Sequence, residues 1–207
     1  PLNKAINASS KAHNWEASFK LLDDALEAGC PVNVVSFGAA LAACDRGSFW
    51  QHALRLFGRL AVPNNITWNA VISACGRAKR WEHACGLLEQ MTESQFQPDI
   101  ITFNSTMRSL GGAGSSTSRW QLGLALHGQL LTKQLLPSPT TYSTLTKLCA
   151  QGNAWHVALL VLQDATAGPA DGGNIDAASF TSVLIACARS RRWQRSVQLF
   201  SDLTSEK

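Results

Sequence analysis

Cysteine and histidine are the residues of this sequence that could bind a metal ion or act as nucleophiles, and their spacing argues against both roles. Four of the six cysteines recur at one place in an apolar helical pattern: Cys44, Cys75, Cys149 and Cys187. One thiol per recurrence cannot build the four-ligand site that zinc prefers. No histidine stands at metal spacing with cysteine or glutamate. We therefore predict buried, reduced thiols, no metal, no cofactor and no enzymatic activity over this stretch.

Composition sets broad limits on the class of protein. The chain has 207 residues, 45% of them hydrophobic, which is enough for a continuous buried core. A net charge of +4 permits a polyanionic partner without requiring one. No apolar run reaches the length of a membrane-spanning helix, so we predict no membrane span.

Tryptophan reveals an internal repeat. Six of the seven tryptophans are separated by 31 to 39 residues: Trp15, Trp50, Trp81, Trp120, Trp155 and Trp193. Another bulky apolar residue stands 13 residues before most of them, as Trp68 does before Trp81. Regular spacing of a rare residue is the signature of a repeat architecture.

The clearest repeat predicts a helical hairpin. Trp68, Val71, Ile72 and Cys75 follow the spacing of one helical face, and a second apolar stripe begins at Trp81 after the GRAKR turn. A hairpin of this size must bury its apolar faces against neighbouring hairpins. We therefore predict an all-α fold, an α-solenoid of stacked antiparallel helical hairpins forming one array over residues 1–207. The approximate units are 1–33, 34–64, 65–99, 100–138, 139–176 and 177–207, with both terminal units incomplete.

Two segments interrupt the regular hairpins. The stretch GGAGSSTS at residues 111–118 lacks the Gly-Lys-Ser/Thr ending of a phosphate-binding loop and follows a helix, so it is interpreted as a lengthened turn. The stretch AGPADGGN at residues 167–174 is interpreted in the same way.

The hairpin beginning NITWNAVISACGRA, continuing WEHACGLLEQM and closing QPD resembles a pentatricopeptide repeat (PPR), and the resemblance covers essentially the whole chain. Tetratricopeptide repeats have a similar period, but their tryptophan and glycine-tyrosine pattern is missing here. The resemblance implies binding of single-stranded RNA, one base per hairpin, read chiefly by the fifth residue of a unit and the last residue before the next.

Carried over unit by unit, the resemblance implies these base-reading residues: Asn3 with Asn33, Asn64, Asn69 with Asp99, Asn104 with Ser138, Ser143 with Asp176, and Thr181. Asn3 with Asn33 resembles a cytidine reader, and Asn69 with Asp99 resembles a uridine reader. Asn104 with Ser138 suggests a pyrimidine and Ser143 with Asp176 suggests guanosine. Thr181 suggests a purine. Gly38 offers no side chain opposite Asn64, so the base choice of that unit stays open. The polar residues could also serve only to hydrogen-bond their own helix starts.

Two further columns complete the implied RNA site. Residues that would sandwich the bases stand at the second place of each unit: Val35, Ile66, Ile101, Thr140 and Ala178. Residues that would contact phosphates stand near the end of the first helix: Lys11, Arg46, Arg77 and Arg189. Gly112 and Gln151 break this basic column, and the alternative reading is a set of solvated helix ends favoured by the helix dipole.

The resemblance implies an organellar factor for RNA stabilisation, processing, editing or translation, in a plastid or mitochondrion with the plastid slightly favoured. The alternative is a protein-binding α-solenoid subunit of a larger organellar complex, such as a ribosome or a bioenergetic assembly. Low net charge, Gly38 and the broken basic column favour that alternative. A deaminase or nuclease domain outside this sequence is a third reading.

Overall fold

The computed structural model describes residues 15–28, 34–112, 119–167, 177–191 and 194, and within these ranges it contains ten α-helices and no β-strand. The helices are α1 (Trp15–Glu27), α2 (Val34–Gly47), α3 (Trp50–Gly58), α4 (Asn65–Arg77), α5 (Trp81–Glu93), α6 (Ile100–Leu110), α7 (Arg119–Thr132), α8 (Pro139–Gln151), α9 (Trp155–Ala167) and α10 (Ala177–Arg189). Predictions at Asn3, Lys11, Asn33 and Asp176, and for most of both insertions, lie outside the described residues. No described helix is long and apolar enough to cross a membrane.

The chain divides into two compact units, Pro1–Ser109 and Leu110–Lys207. In the first unit the first helices of successive hairpins, α2 and α4, pack side by side, and α3 packs against both. In the second unit α8 and α10 pack in the same way, and α9 packs against both. Each unit is thus a stack of helical hairpins, which confirms the predicted fold class.

The apolar stripes of the hairpin α4–α5 form the core as predicted. Trp68, Val71, Ile72 and Cys75 on α4 are all buried, and so are Ala84, Leu88 and Met91 on α5. The burial follows from the 3.6-residue period, which places these side chains on one face of each helix.

Trp68 fills the space between successive hairpins. Its ring centroid lies 4.4 Å from that of Phe57 at the end of α3 and 6.3 Å from that of Phe96 beyond α5. Only 4% of its surface is exposed. Trp81, the first residue of α5, is half-buried. Trp68 is therefore a core residue that joins the hairpin α4–α5 to the hairpin before it.

Small residues allow the helices to approach closely. The residues three places after the repeat tryptophans are buried wherever the structure describes them: Ser18, Ala53, Ala84, Gly123 and Ala158. One helix backbone comes close to another at Gly76 in α4, where an added Cβ would lie 2.5 Å from the backbone oxygen of Ser105 in α6. Since backbone cannot move cheaply, this crossing requires glycine.

The hairpin turns are closed by left-handed residues that are not glycine. Lys79 has φ 58°, and its N–H donates to the Gly76 carbonyl while the Arg80 N–H donates to the Cys75 carbonyl. This pair of bonds is the Schellman motif that ends many helices. Ser48 and Asn153 close their turns with the same pattern of bonds.

Side chains at two of these turns also reach the next hairpin. The Lys79 ammonium donates to the carbonyl oxygen of Arg108 at 2.9 Å, near the end of α6. In the second unit the Ser190 hydroxyl donates to Asn153 Oδ1, also at 2.9 Å. The turns therefore link neighbouring hairpins by polar contacts, in addition to the apolar core.

The cysteine column is buried, as predicted. Burial raises the pKa of Cys44 and Cys149 to about 12 and that of Cys75 to about 11. Such thiols are almost entirely protonated at neutral pH, so they are poor nucleophiles. The described residues include no group of three or more histidine, cysteine or acidic side chains that could hold a metal ion.

His127 is a buried titratable group in the second unit. Its ring lies 5.9 Å from that of Tyr142, and its Nε2 has no hydrogen-bond partner among the described residues. Burial lowers the pKa of His127 below its ordinary value, against a smaller opposing effect of the Asp164 carboxylate. Folding therefore favours the neutral form of this imidazole.

Gly76→Ala tests the close helix crossing. We expect the Cβ to collide with the Ser105 carbonyl and to lower the free energy of unfolding by about 1–3 kcal/mol, as overpacking does. The matched control is Gly86→Ala in α5, where an added Cβ meets nothing within 4 Å. That change should stabilise the protein by up to about 1 kcal/mol through helix propensity. Urea unfolding measures both, and equal effects of the two changes would contradict the packing account.

His127 makes stability depend on pH in a defined direction. Because its folded-state pKa is lowered, its contribution is complete above the ordinary value near 6.5 and is lost as the pH falls below it. His127→Phe should remove part of the stability loss between pH 7.5 and 5.5, measured by urea midpoints. His156→Gln, at an exposed histidine, serves as control and should leave the slope unchanged. A slope that His127→Phe leaves intact would refute this assignment.

Candidate functional site

The closing residue caps the first helix of the next repeat at the three junctions where the structure describes it. The Asn64 side chain accepts a hydrogen bond from the Thr67 N–H at 2.9 Å, and the Thr67 hydroxyl oxygen accepts one from the Asn64 N–H. Asp99 with Thr102 forms the same reciprocal pair at the start of α6. These bonds satisfy N–H groups that have no partner within the helix.

The same arrangement recurs in the second compact unit, Leu110–Lys207. Ser138 caps α8 by accepting from the Thr141 N–H, and the Ser138 N–H donates to the Thr141 hydroxyl. The hydroxyl residue three places after each closing residue is fully buried in all five described first helices: Ser36, Thr67, Thr102, Thr141 and Ser179. This column was missed from the sequence, although Ser or Thr at that spacing is the signal that would have found it.

The structure brings together Asn69 and Asp99, the predicted uridine-reading pair. Asn69 Nδ2 donates to Asp99 Oδ2 at 2.9 Å across successive hairpins. The Thr102 hydroxyl lies 2.5 Å from Asn69 Oδ1 and 2.9 Å from Asp99 Oδ1. Three side chains, two of them half-buried, thus hold one another in fixed positions.

This network leaves hydrogen-bonding capacity at its outer edge. A carboxamide has two N–H donors, and Asn69 uses one of them on Asp99. Asp99 Oδ2 accepts that single bond and can accept another. The pair can therefore offer one N–H donor and one carboxylate acceptor to a flat polar ligand edge.

The other predicted base-reading residues lie in different settings. Asn104 belongs to the first compact unit and Ser138 to the second. The Ser143 hydroxyl donates to the Thr140 carbonyl, and the Thr181 hydroxyl to the Ala177 carbonyl. Because each proton is used on its own helix, these oxygens present only acceptor capacity outward. Beside Gly38 an added Cβ would meet nothing within 4 Å, so that position is open space.

The predicted base-sandwiching residues are all exposed: Val35, Ile66, Ile101, Thr140 and Ala178. The three aliphatic ones, in the first unit, are 66%, 71% and 57% exposed. Ile66 stands three residues before Asn69, and Ile101 three before Asn104, so each pair shares a helix face. Apolar side chains so exposed beside polar ones are a common feature of binding surfaces.

The predicted phosphate-contacting arginines lie in the last turns of their helices. Arg46, Arg77 and Arg189 end α2, α4 and α10, and all three are exposed. Arg77 is already engaged, since its Nε donates to Asp45 Oδ1 at 2.9 Å. Spacing alone could not show this pairing, because Asp45 comes from the preceding hairpin.

Arg108 is a further cation that the column analysis missed. It lies in the last turn of α6, and one terminal nitrogen donates to the Ser73 hydroxyl of α4 at 3.1 Å. Its Nε is buried and has no hydrogen-bond partner among the described residues. Burial, with the nearby Arg77 cation, lowers the pKa of Arg108, and Asp45 opposes the shift. A strongly basic guanidinium nevertheless stays charged.

Two segments of the chain match models of known repeat families. Residues 63–111 match the model described as the PPR repeat family, and residues 178–207 match the PPR repeat model. No curated protein sequence matches the chain.

Solved structures share the fold. The crystal structure of the pentatricopeptide repeat protein PPR10 from maize matches with a TM-score of 0.73 at 20% identity, covering 97% of this chain and 28% of that one. PPR10 in complex with an 18-nt psaJ RNA element matches at 0.65, also at 20% identity, covering 99% of this chain and 28% of that one. The PPR domain of Arabidopsis thaliana protein-only RNase P 1, in complex with tRNA, matches at 0.69 and 14% identity, covering 94% and 97%. The chain thus spans about a quarter of the length of PPR10.

Asp99→Ala tests the capping role of the closing residue. We expect a loss of about 1 kcal/mol in the free energy of unfolding, because the start of α6 loses its side-chain acceptor. Asp99→Asn should retain most of the stability, since asparagine caps helices equally well. Thermal unfolding compares them with Asp164→Ala on α9, an exposed site. Equal stability of Asp99→Ala and the parent would contradict the cap assignment.

Proposed function

Because this chain is built from pentatricopeptide repeats, we propose that it binds single-stranded RNA sequence-selectively along its first helices. The observation that carries the proposal is the network of Asn69, Asp99 and Thr102. It joins the fifth residue of one unit to its closing residue and leaves a donor and an acceptor free. An unstacked base presents a flat edge of donors and acceptors that such a pair can recognise.

A uridine fits the free groups of this pair. Its Watson–Crick edge carries one N–H donor between two carbonyl acceptors, so it can donate to Asp99 and accept from Asn69. The Thr102 hydroxyl holds Asn69 in place, which reduces the entropy lost when the base binds. Ile66 and Ile101, exposed beside this face, offer apolar contact to the two faces of a base.

Hydroxyl residues in the second compact unit suit a different class of base. Ser143 and Thr181 offer only acceptor capacity, since each donates its own proton to a helix carbonyl. An acceptor matches the amino and imino donors of a guanosine edge, and uridine has no amino group there. Guanosine at Ser143 and a purine at Thr181, the bases that the resemblance implies, are compatible with these acceptors, as is the amino group of cytidine.

The structural relatives support the same class of ligand. Two of the matched structures are PPR proteins in complex with RNA, one with an 18-nt element and the other with tRNA. As the sequence resemblance implies, we further propose an organellar location, plastid or mitochondrion, and a non-enzymatic RNA-binding part in RNA stabilisation, processing, editing or translation. The exposed arginines Arg46 and Arg189 would add sequence-independent affinity.

Asp99→Asn should change which base is bound. The substitution keeps the cap on α6 and replaces a carboxylate acceptor by an amide that can also donate. We expect preference at that position to move from uridine to cytidine, with a change in the affinity ratio of about tenfold. Selection from a randomised single-stranded RNA pool, followed by sequencing of the bound fraction, measures this.

The matched control is Glu89→Gln on the second helix α5, which makes the same charge change at an exposed site. It should leave the selected sequence unchanged. Binding by the parent without any base preference, or an unaltered preference in Asp99→Asn, would reject base reading by this pair. A parent that binds no RNA at either of two salt concentrations would reject the proposed function and favour the protein-binding alternative.

A further inference from the structure

Arg108 occupies the helix face that carries the base-reading residues. On α4, Asn69, Ser73 and Arg77 recur at every fourth position, which puts them on one face. On α6, Asn104 and Arg108 stand in the places that Asn69 and Ser73 take on α4, 35 residues earlier. Arg108 thus lies one helical turn from Asn104, closer to the predicted base position than the basic column is.

The surroundings of Arg108 concentrate positive charge. Arg77 and Lys79, at the end of α4, are its cationic neighbours, and the Lys79 ammonium already binds the Arg108 carbonyl. One carboxylate, Asp45 from α2, faces this group and is held by Arg77 at 2.9 Å. Among these four groups, three cations face one anion, which gives a local formal charge of +2.

The guanidinium of Arg108 is half-buried and has no anionic hydrogen-bond partner among the described residues. Within the described part of the chain it donates one side-chain hydrogen bond, to the neutral Ser73 hydroxyl, and its buried Nε has no partner. Guanidinium groups form their strongest bonds with oxyanions in paired, planar geometry. Because Nε is buried, an anion would bind the terminal nitrogens of this half-exposed side chain, and the lack of an oxyanion partner there favours an anionic ligand.

We propose that Arg108 and Arg77 together bind one phosphodiester group of single-stranded RNA, and that Asp45 competes with that phosphate for Arg77. This inference rests on the proposed function and adds a binding residue and an internal competitor to it. It also accounts for the gap at Gly112, because Arg108 supplies on α6 the cation that the basic column lacks there.

A phosphodiester fits better than the carboxylate of an acidic protein segment. The site adjoins Asn104 and, two turns along α4, the network of Asn69, so an anion here lies beside groups suited to a base edge. The exposed Ile66 and Ile101 extend the same faces with apolar surface for bases. Alternation of flat apolar groups with anions is the chemistry of a nucleic-acid strand.

The competition makes two opposite predictions. Arg108→Gln should weaken binding of the selected RNA about fivefold and reduce the salt slope by about 0.7, the value for one phosphate contact on a single strand. Asp45→Asn should strengthen binding about threefold and steepen the slope, because Arg77 is then available for a phosphate. A gain in affinity cannot result from misfolding.

The control is Arg55→Gln on the second helix α3, which removes the same charge from an exposed position away from these residues. Binding of labelled RNA is measured for all four proteins at several salt concentrations, with a decaglutamate peptide as a second probe. Equal effects of Arg108→Gln and Arg55→Gln, or no gain from Asp45→Asn, would overturn this site while leaving RNA binding intact. A parent that binds decaglutamate more tightly than RNA, or binds no RNA, would overturn the proposed function and the site with it.

Discussion

The hydrogen bonds that start the first helices α4, α6 and α8 are the interaction on which the rest of the described structure depends. Three or four N–H groups at a helix start have no partner within the helix, and a closing residue such as Asp99 supplies an oxygen for one of them. The bond fixes where the helix begins and therefore the register of every residue after it. In the hairpin that Asp99 caps, the same side chain also holds Asn69 of the previous hairpin. Helix initiation, hairpin stacking and polar surface chemistry thus share one residue.

The fold could be predicted because its determinants are local and repeated. The apolar residues of α4 recur at helical spacing: Trp68, Val71, Ile72 and Cys75. The spacing of the tryptophans indicates the repeat length. The pairing of Asn69 with Asp99 followed from the family resemblance and is present as a direct contact. Whether that contact reads a base stays a prediction.

Contacts between hairpins could not be read from the sequence with the same certainty. Arg77 pairs with Asp45, 32 residues away, and Arg108 with Ser73, 35 residues away, so both contacts join successive hairpins and no local pattern specifies them. Gly76 allows one of these approaches, yet a glycine in a helical pattern signals only that some close contact exists. The left-handed conformation of Lys79 was equally hidden, since glycine or asparagine is the usual residue there.

The turn residues have a consequence for how the chain responds to perturbation. A glycine at position 79 would adopt the left-handed conformation at less cost, but it would lose the bond to the Arg108 carbonyl in the next hairpin. Asn153 and Ser190 form an equivalent connection. In a linear array, such nearest-neighbour terms determine how far local unfolding spreads. Each hairpin is therefore expected to loosen together with its neighbour, so that damage at one turn extends over two repeats.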